Sequence, residues 1–498
     1  MSDEKYSAET GPGESHQFDR SDAPRTAEGL TDWTIPVIPS TRIDPEDWAW
    51  AHEQRKPVDP DITVDQVAAI LLVHQAAGWL PRALNALRRS GERAAVQIAV
   101  DLGSTDGSSD LLVAAVDEGL LDECVTASAD TTPGEGINLA IDRLSDGVTH
   151  IWILHDDVEV RRDSLTCMLR EASRKPHPDV LYPTLLKPAR HNYPEFIDEQ
   201  GQSVSTGGAR VLPVVDRGDI DQKQADPGPI LGGSTAGMFV RVDVWRRLGG
   251  FDPALPLFRD GVDFGWRANE AGMVVRTAPS CTIHHRQAGR GWQRESHLAP
   301  RPDVTDRLAG MRMVAARTGH PTRTSLALLV ASVWRFLVLM VGKAPSRAVD
   351  EWRSGLQLWR SRSVTREMTQ RLQDFHAQCD PDDLENTNRL LPSRRSVWAR
   401  AVDRYAGDLS DRIHPWRNED GTTIDDLTGD DFTVRDHRSV VNPYTVMVSL
   451  MVVIGIVACR GLYGSGRATS TWLAPAPCGL AGAWHRWLTA VPGLSGGN

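Results

Sequence analysis

Three short apolar runs in the first third of the chain each stop abruptly at a polar turn, and that repetition predicts the fold. Val67 to Val73 is a continuous apolar run of strand length, followed by an amphipathic stretch from Leu80 to Arg89 with Pro81 in its first turn. Val96 to Val100 reads as a second strand and Ser109 to Val116 as a second helix. Ile151 to Leu154 is a third buried strand, and the spacing predicts a helix over Arg162 to Arg174. Runs that are apolar on both faces suit strands covered on two sides, so the pattern predicts an α/β fold with a βαβα beginning. In such sheets ligands lie beyond the carboxyl ends of the strands, which directs attention to the polar turns. Residues 180 to 230 are rich in Pro, Gly and Asp and lack long periodic runs. After them, Gly232-Gly-Ser-Thr-Ala-Gly-Met-Phe-Val240 reads as a small-residue turn leading into a strand, where backbone approaches something closely.

Two later stretches have a different pattern. Leu326 to Val341 is apolar except for Ser332 and a central Arg335, and Tyr444 to Cys459 is apolar with no charge. At about 1.5 Å per residue the second stretch reaches roughly 24 Å, and extension through Leu462 and Tyr463 with Arg460 at the interface makes it a candidate single span. A mid-helix arginine is costly in lipid, and the first stretch is flanked by Arg312, Arg317, Arg323, Lys343, Arg347 and Arg353. It is therefore expected to lie along an anionic leaflet rather than cross it.

Composition narrows the classes. A chain of 498 residues is too long for one ordinary domain, and 40% hydrophobic residues are enough for a large core. The net charge of −11 argues against nucleic acid as a partner, since such domains are normally strongly basic. The six cysteines are far apart and form no C-x-x-C, which indicates neither a disulfide framework nor a zinc knuckle and fits a reducing, cytosolic setting. Residues 1 to about 58 lack a positively charged region followed by an apolar one, and they are rich in Ser, Asp, Glu, Pro and Gly, as a disordered arm would be.

The chemistry-bearing residues fall in four places. Asp101 follows the second strand and is succeeded by Gly103-Ser104-Thr105-Asp106-Gly107, a turn whose carboxylate could accept hydrogen bonds from a base or ribose; taken alone it is an ordinary Asp-containing turn. His155-Asp156-Asp157 ends the third strand in three potential metal ligands, although Asp157 or Asp163 could instead cap the next helix. Asp260 and Asp263 stand three apart at the start of a predicted helix, so either could be a general base toward an acceptor hydroxyl; alternatively Asp263 and Arg267 form an i, i+4 ion pair. In Ile283-His284-His285-Arg286 adjacent histidines on a strand point to opposite faces, so at most one reaches a site, while Arg286 and Arg290 suit a diphosphate.

In order and spacing this series resembles the family 2 glycosyltransferases of the GT-A fold over about residues 62 to 300. The residues that carry the resemblance are Val73-His74-Gln75, Val100-Asp-Leu-Gly-Ser-Thr-Asp-Gly107, the His-Asp-Asp turn, Gly232-Gly-Ser-Thr-Ala-Gly-Met, Gly249-Gly-Phe-Asp252, Asp260-Gly-Val-Asp-Phe-Gly-Trp-Arg267 and His285. The chain is similar within that family to large actinobacterial membrane enzymes. The resemblance implies a GT-A, Rossmann-like domain at 59–300, preceded by the arm at 1–58. A helical membrane-surface region at 301–420, a linker at 421–442, a transmembrane helix at 443–463 and a tail at 464–498 would follow. It implies a nucleotide-diphospho-sugar donor, a lipid-linked or cell-envelope glycan acceptor, inversion at the anomeric carbon, and a location at the cell membrane with the catalytic domain facing the cytoplasm. Asp101 would hold the nucleoside, with His74, Ser104, Asp106, Asp156 and Arg286 also at the donor. The His-Asp-Asp turn stands where the family has its D-x-D, so Asp157 would bind Mn²⁺ or Mg²⁺ with His155 and His285 as further ligands. The base would come from Asp260 or Asp263.

Two departures from the family pattern bear on activity. His155 replaces the usual first aspartate, which suits Mn²⁺ better than Mg²⁺. The usual acidic pair reads Asp260-Gly261, which leaves open a catalytically inactive GT-A domain acting as a membrane-docked scaffold. No Q-x-x-R-W occurs, so addition of one or a few sugars is expected rather than processive synthesis. No further apolar run of spanning length follows Cys459, so a short or truncated copy is expected. A dehydrogenase is a distant alternative, because the first strand-to-helix turn lacks G-x-G-x-x-G.

Overall fold

The computed structural model describes residues 61–189, 194–223, 225–289, 294, 296–341, 344–393 and 451. A 3₁₀ turn at Val64–Gln66 leads into β1 (Val67–Val73), α1 (Leu80–Arg88), β2 (Val96–Asp101), α2 (Ser108–Asp117), β3 (Glu123–Thr126), α3 (Pro133–Ile141) and β4 (His150–His155). Next come β5 (Val158–Val160), α4 (Ser164–Ala172), β6 (Val180–Leu186), β7 (Ile197–Glu199), β8 (Ser203–Val204), β9 (Arg210–Val211), β10 (Phe239–Arg241), α5 (Val242–Leu248), α6 (Asp260–Glu270) and β11 (Val275–His285). Five further helices follow: α7 (Pro302–Ala316), α8 (Pro321–Val341), α9 (Pro345–Arg360), α10 (Arg362–His376) and α11 (Pro381–Asn388).

The main sheet runs β3-β2-β1-β4-β10-β6-β11-β5, with β7 joined to β6. Its first four strands are parallel, in the order of a mononucleotide-binding half, and β10 enters antiparallel between β4 and β6. The alternation along β1 explains its unbroken apolar sequence. Val67, Ala69, Leu71 and Val73 enter one core, while Ala68, Ile70 and Leu72 enter another. The first core is closed by Leu80 and Leu84 of α1, Leu112 of α2 and Met168 of α4; the second by Ile137 of α3, Trp245 of α5 and Phe264 of α6. Register does the rest for the site. Val73 pairs with Asp101, and Leu72 with His155, so the polar ends of β1, β2 and β4 finish side by side.

Several sequence expectations are revised. The helix expected over Arg162 to Arg174 is shorter, Ser164–Ala172, and it is preceded by a strand the sequence did not suggest, Val158–Val160, which pairs antiparallel with the end of β11. The stretch from 180 to 230 contains β6, a fully buried strand between β10 and β11, despite an internal Pro183. Cys167 of α4 and Cys281 of β11 are disulfide-bonded with Cα atoms 5.5 Å apart, a pairing that their separation of 114 residues concealed. The expected span at 443–463 lies outside the described residues apart from Met451.

The helices after β11 pack directly on the sheet and its flanking helices through buried charge. Asp263 is bound by Arg267 at 2.8 Å and Arg317 at 2.9 Å, and Arg317 also reaches Glu270 and stacks 3.9 Å from the Trp266 ring centre. Arg259 and Arg210 share Asp306 of α7. Two arginines expected to meet a leaflet, Arg312 and Arg317, are thus inside the bundle. Helix α8 turns its polar positions inward: Ser325 and Ser332 are buried, and Arg335 pairs with Glu351 of α9 at 3.1 Å. Its outward face is apolar, with Leu326, Val330, Val333, Trp334 and Leu337 exposed. Among the described residues α8 is the one helix long and apolar enough to cross a bilayer, yet its inner face is committed to protein.

Candidate functional site

The turns after β1 and β2 are laced together by the residues expected to bind the donor. Asp101 is fully buried, accepting from Ser104 N at 2.9 Å and from the Ser109 hydroxyl. Ser104 Oγ accepts from Gln75 N, Ser108 Oγ from Ala76 N, and Asp106 from Ala77 N. These side chains replace backbone pairing where the strands end. Gly103 is the necessary residue in this turn, because φ is +70° and a Cβ would run into the backbone of Ala129. The lacing leaves His74 and Leu102 as the side chains that line the cleft, together with Ala129, Thr131 and Pro133. His74 donates its backbone N–H to Asp156 Oδ2 at 2.8 Å, and its Nδ1 lies 2.8 Å from the Leu102 carbonyl. Asp101, Ser104, Asp106 and Asp156 shape this end of the cleft without lining it.

At the end of β4 the three candidate ligands divide. Asp156 is buried and turned back toward β1, bound by His74 N, Trp79 Nε1 and Arg294. Burial raises its pKa, outweighing the opposing pull of Arg294. His155 and Asp157 face the cleft, where His285 from the end of β11 joins them. Ligand atoms of His155, Asp157 and His285 all lie within 4.8 Å of one another.

Electrostatically the three residues suit a divalent cation. Burial pushes the His155 pKa down to about 4, so the ring is neutral, and its Nε2 is held 2.9 Å from Thr235 Oγ1. Burial alone would raise the Asp157 carboxyl, but His285 and other nearby positive charge hold it far below the usual range. Asp157 Oδ2 also accepts from Ala288 N at 2.8 Å, an orienting contact of the kind metal ligands need. His285 Nδ1 is buried with no hydrogen-bond partner. Against its burial, Asp157 raises the His285 pKa, so a cation there would displace a proton; two imidazoles and one carboxylate are a donor set that suits a transition metal such as Mn²⁺ better than Mg²⁺. Asp157 does not cap α4, and Asp163, at the N-cap position, makes no side-chain cap either.

The opposite wall is α6. Asp260 lines the cleft, accepts from Gly261 N at 2.9 Å, and burial pushes its pKa up to about 6. Asp263, the other candidate base, is corrected to a structural role: it is fully buried and both its oxygens are taken by Arg267 and Arg317. The i, i+4 pair with Arg267 is therefore formed. Gly261 is required by packing, since a Cβ there would lie 2.6 Å from the Gly233 carbonyl and 2.8 Å from Thr235 Cγ2. The small-residue turn at 232–240 is thus what α6 approaches, and it delivers Ser234 and Thr235 to the cleft.

The sequence did not reveal every lining residue. Arg286 is exposed and does not line the cleft, whereas Arg294 does, stacked 5.3 Å from the Trp79 ring centre. Glu199, Gln202 and Arg210 enter from β7 to β9, a region with no periodic signal. His284 points to the other face, toward Glu195, as adjacent strand residues must.

No family model matches the chain. It is 26% identical over 253 residues to the N-acetylglucosaminyl-diphospho-decaprenol L-rhamnosyltransferase of Mycobacterium tuberculosis, covering 47% of this chain and 81% of that protein. Among solved structures it resembles TarS 1–349 of S. aureus at 12% identity and a TM-score of 0.33, over 59% of this chain and 91% of that one. It also resembles the mannosyltransferase PcManGT from Pyrobaculum calidifontis, in complex with GDP-Man and Mn²⁺, at 14% identity and a TM-score of 0.38, over 63% and 94%. Superpositions this loose carry no residue roles across. In sequence, motif order and strand order the chain is similar to the family 2 glycosyltransferases of the GT-A fold.

Proposed function

We propose that the protein is an inverting glycosyltransferase that moves a sugar from a nucleotide-diphosphate donor to a lipid-linked acceptor of the cell envelope, at the cytoplasmic face of a membrane. The observation that carries this reading is that the His155, Asp157 and His285 cluster and Asp260 face one cleft at the carboxyl edge of the sheet. The name of the mycobacterial relative supports a lipid diphosphate acceptor, and the outward apolar face of α8 supports docking on a bilayer.

The nucleoside is assigned to the part of the cleft lined by His74, Leu102 and Pro133. His155, Asp157 and His285 would hold Mn²⁺ or Mg²⁺, which would supply Lewis-acid neutralisation of the departing diphosphate. Asp260 accepts the proton of the acceptor hydroxyl as that oxygen bonds to the anomeric carbon and the bond to the nucleoside diphosphate breaks. A carboxyl whose pKa is about 6 is largely ionised at neutral pH yet basic enough for this transfer. Water is limited by Leu257, Phe258 and Leu298 on the α6 side of the cleft. An inactive scaffold would follow if Gly261 had deprived the site of its base, but Asp260 occupies the cleft without it.

Calorimetric titration with UDP-, GDP- and dTDP-sugars, with and without Mn²⁺, tests the reading. Metal-dependent binding of one donor, lost in Asp157→Ala, is expected. A folded protein that binds none of them would overturn the enzymatic reading and favour the scaffold.

A further inference from the structure

A second cavity of about 530 Å³ lies between α7 and α9, beside the donor cleft. On α7 its wall is Arg301, Val304, Thr305, Leu308 and Arg312, at the spacing of one helical face; on α9 it is Arg353, Leu356, Gln357 and Arg360. Four arginines line it and no carboxylate does.

Arg312 sets this cavity apart from the rest of the bundle. Arg259 is buried too, Arg210 and Arg317 are largely so, and each is bound to a carboxylate within 3 Å. Arg312 is 8% exposed and donates only to the Ala254 carbonyl at 2.6 Å and Ser361 Oγ at 2.9 Å, leaving a buried Nε without a partner. Burial lowers its pKa, whereas that of Arg317 is raised by its acids. Its nearest opposing charge, Asp252, is ion-paired to Arg371 at 2.7 Å and does not offset the burial, so a guanidinium whose hydrogen-bond partners are all neutral is incompletely compensated, and an anion would complete it. At the rim, Arg301 has a loose contact of 3.6 Å with Asp350. Arg353 and Arg360 are exposed, with no ion-pair partner among the described residues.

The position of the cavity identifies the anion. Leu298 lines both the cavity and the donor cleft, and the segment from Ala254 to Pro256 along the cavity continues as Leu257 and Phe258 along the cleft, just before Asp260. A group held at Arg312 is therefore next to the wall that carries the base. Apart from Thr305 and Gln357 the remaining lining is apolar, with Val304, Leu308, Ala309 and Leu356 among it.

We propose that the groove between α7 and α9 binds the diphosphate of the lipid-linked acceptor, with Arg312 at its floor and Arg353 and Arg360 at its rim. The inference rests on the glycosyltransferase reading for its ligand, but the binding it describes needs neither donor nor metal. The apolar lining takes the first part of the lipid stem, and the sugar on the other side of the diphosphate extends past Leu298 toward Asp260.

The test is calorimetry with geranylgeranyl diphosphate in EDTA, so that no metal supports binding in the donor cleft. Wild-type protein is expected to bind, and Arg353→Ala/Arg360→Ala to bind about tenfold or more weakly, a loss of about 1.4 kcal/mol or more. The same variant should keep metal-dependent donor binding, which also shows that it is folded. Equal affinity in wild type and variant would overturn the proposal, as would displacement by phosphatidylglycerol vesicles at matched phosphate, which would mark a general anionic-lipid patch. Failure of the two readings is distinguishable. Arginine-dependent binding of the prenyl diphosphate without donor binding would sink only the enzyme; donor binding without prenyl diphosphate binding would sink only the groove.

Discussion

Replacing Asp260 by Asn separates catalysis from stability, and the structure sets the sign of both effects. Burial raises this carboxyl from 3.8 to about 6, so the folded protein holds the proton more tightly than the unfolded chain does. Above pH 6 the fold therefore carries the cost of an ionised buried group. Two pKa units correspond to about 3 kcal/mol at 1.36 kcal/mol each, an order-of-magnitude upper value for the gain on neutralising it. Asn keeps an oxygen that can accept from Gly261 N, so the local hydrogen bond survives. Asp260→Asn should then be more stable than wild type at pH 8 by about 1–3 kcal/mol. The difference should shrink as pH falls below 6 and vanish only below about pH 3, where wild type is protonated in both states. Urea denaturation of the two proteins at pH 8, 6 and 4.5 measures this, and comparison at each pH cancels the other titrating groups. Transfer activity should fall about 100-fold or more, the range for loss of a general base, while donor binding persists. A variant less stable than wild type at pH 8, or a difference that widens in acid, would refute the assignment of a buried, poised carboxylate.

The other expectations concern the same architecture. Wild-type kcat/KM should fall on the acid side with a midpoint near the Asp260 pKa of about 6, read from a pH–rate profile; a flat profile between pH 5 and 8 would exclude Asp260 as the base. Gly261→Asp, which recreates the paired acids of the family, should destabilise rather than activate: its Cβ meets the Gly233 carbonyl at 2.6 Å, and overpacking of about 1–3 kcal/mol exceeds the roughly 1 kcal/mol of helix propensity gained on leaving Gly. Arg317→Met should cost up to about 3–5 kcal/mol in denaturation, because it leaves buried Asp263 with Arg267 alone and buried Glu270 with His376 alone. Val330→Glu/Trp334→Glu should abolish co-sedimentation with anionic vesicles without lowering Tm, since these side chains are 61% and 67% exposed; a large fall in Tm would mean that the face is packed against protein.

What could be read from the sequence was whatever rests on local pattern. β1 could be read because both its faces are buried, so its apolar run is unbroken, and the turns after β1, β2 and β4 could be read because polarity changes there within one residue. Their alignment into one edge is a matter of register, which pairs Leu72 with His155 and Val73 with Asp101 and which no local window contains. The same limit hid β6, whose Pro183 argues for a loop until pairing on both sides buries it, and the contact of Cys167 with Cys281.

The choice between Asp260 and Asp263 shows what separates a legible residue from an assignable one. Three apart on a first turn, the two acids were equivalent by spacing, and each had a structural alternative. The difference comes from Arg317, which is 54 residues beyond Asp263 and in a helical layer that looked like a membrane-surface appendage. Its guanidinium, with that of Arg267, closes over Asp263 and leaves Asp260 with nearby backbone donors and the cleft. The glycine between them, which suggested decay when set against the family's acidic pair, has a packing cause in the approach of α6 to the Gly233–Thr235 backbone. That approach brings Thr235 to His155 and Asp260 to the same cleft, so the residue that removes one acid is part of what positions the base opposite the candidate metal ligands. Arginines play two parts in this layer. Arg317 fixes the site by satisfying buried acids, and Arg312, hydrogen-bonded to none, is the one proposed to offer its charge to a ligand.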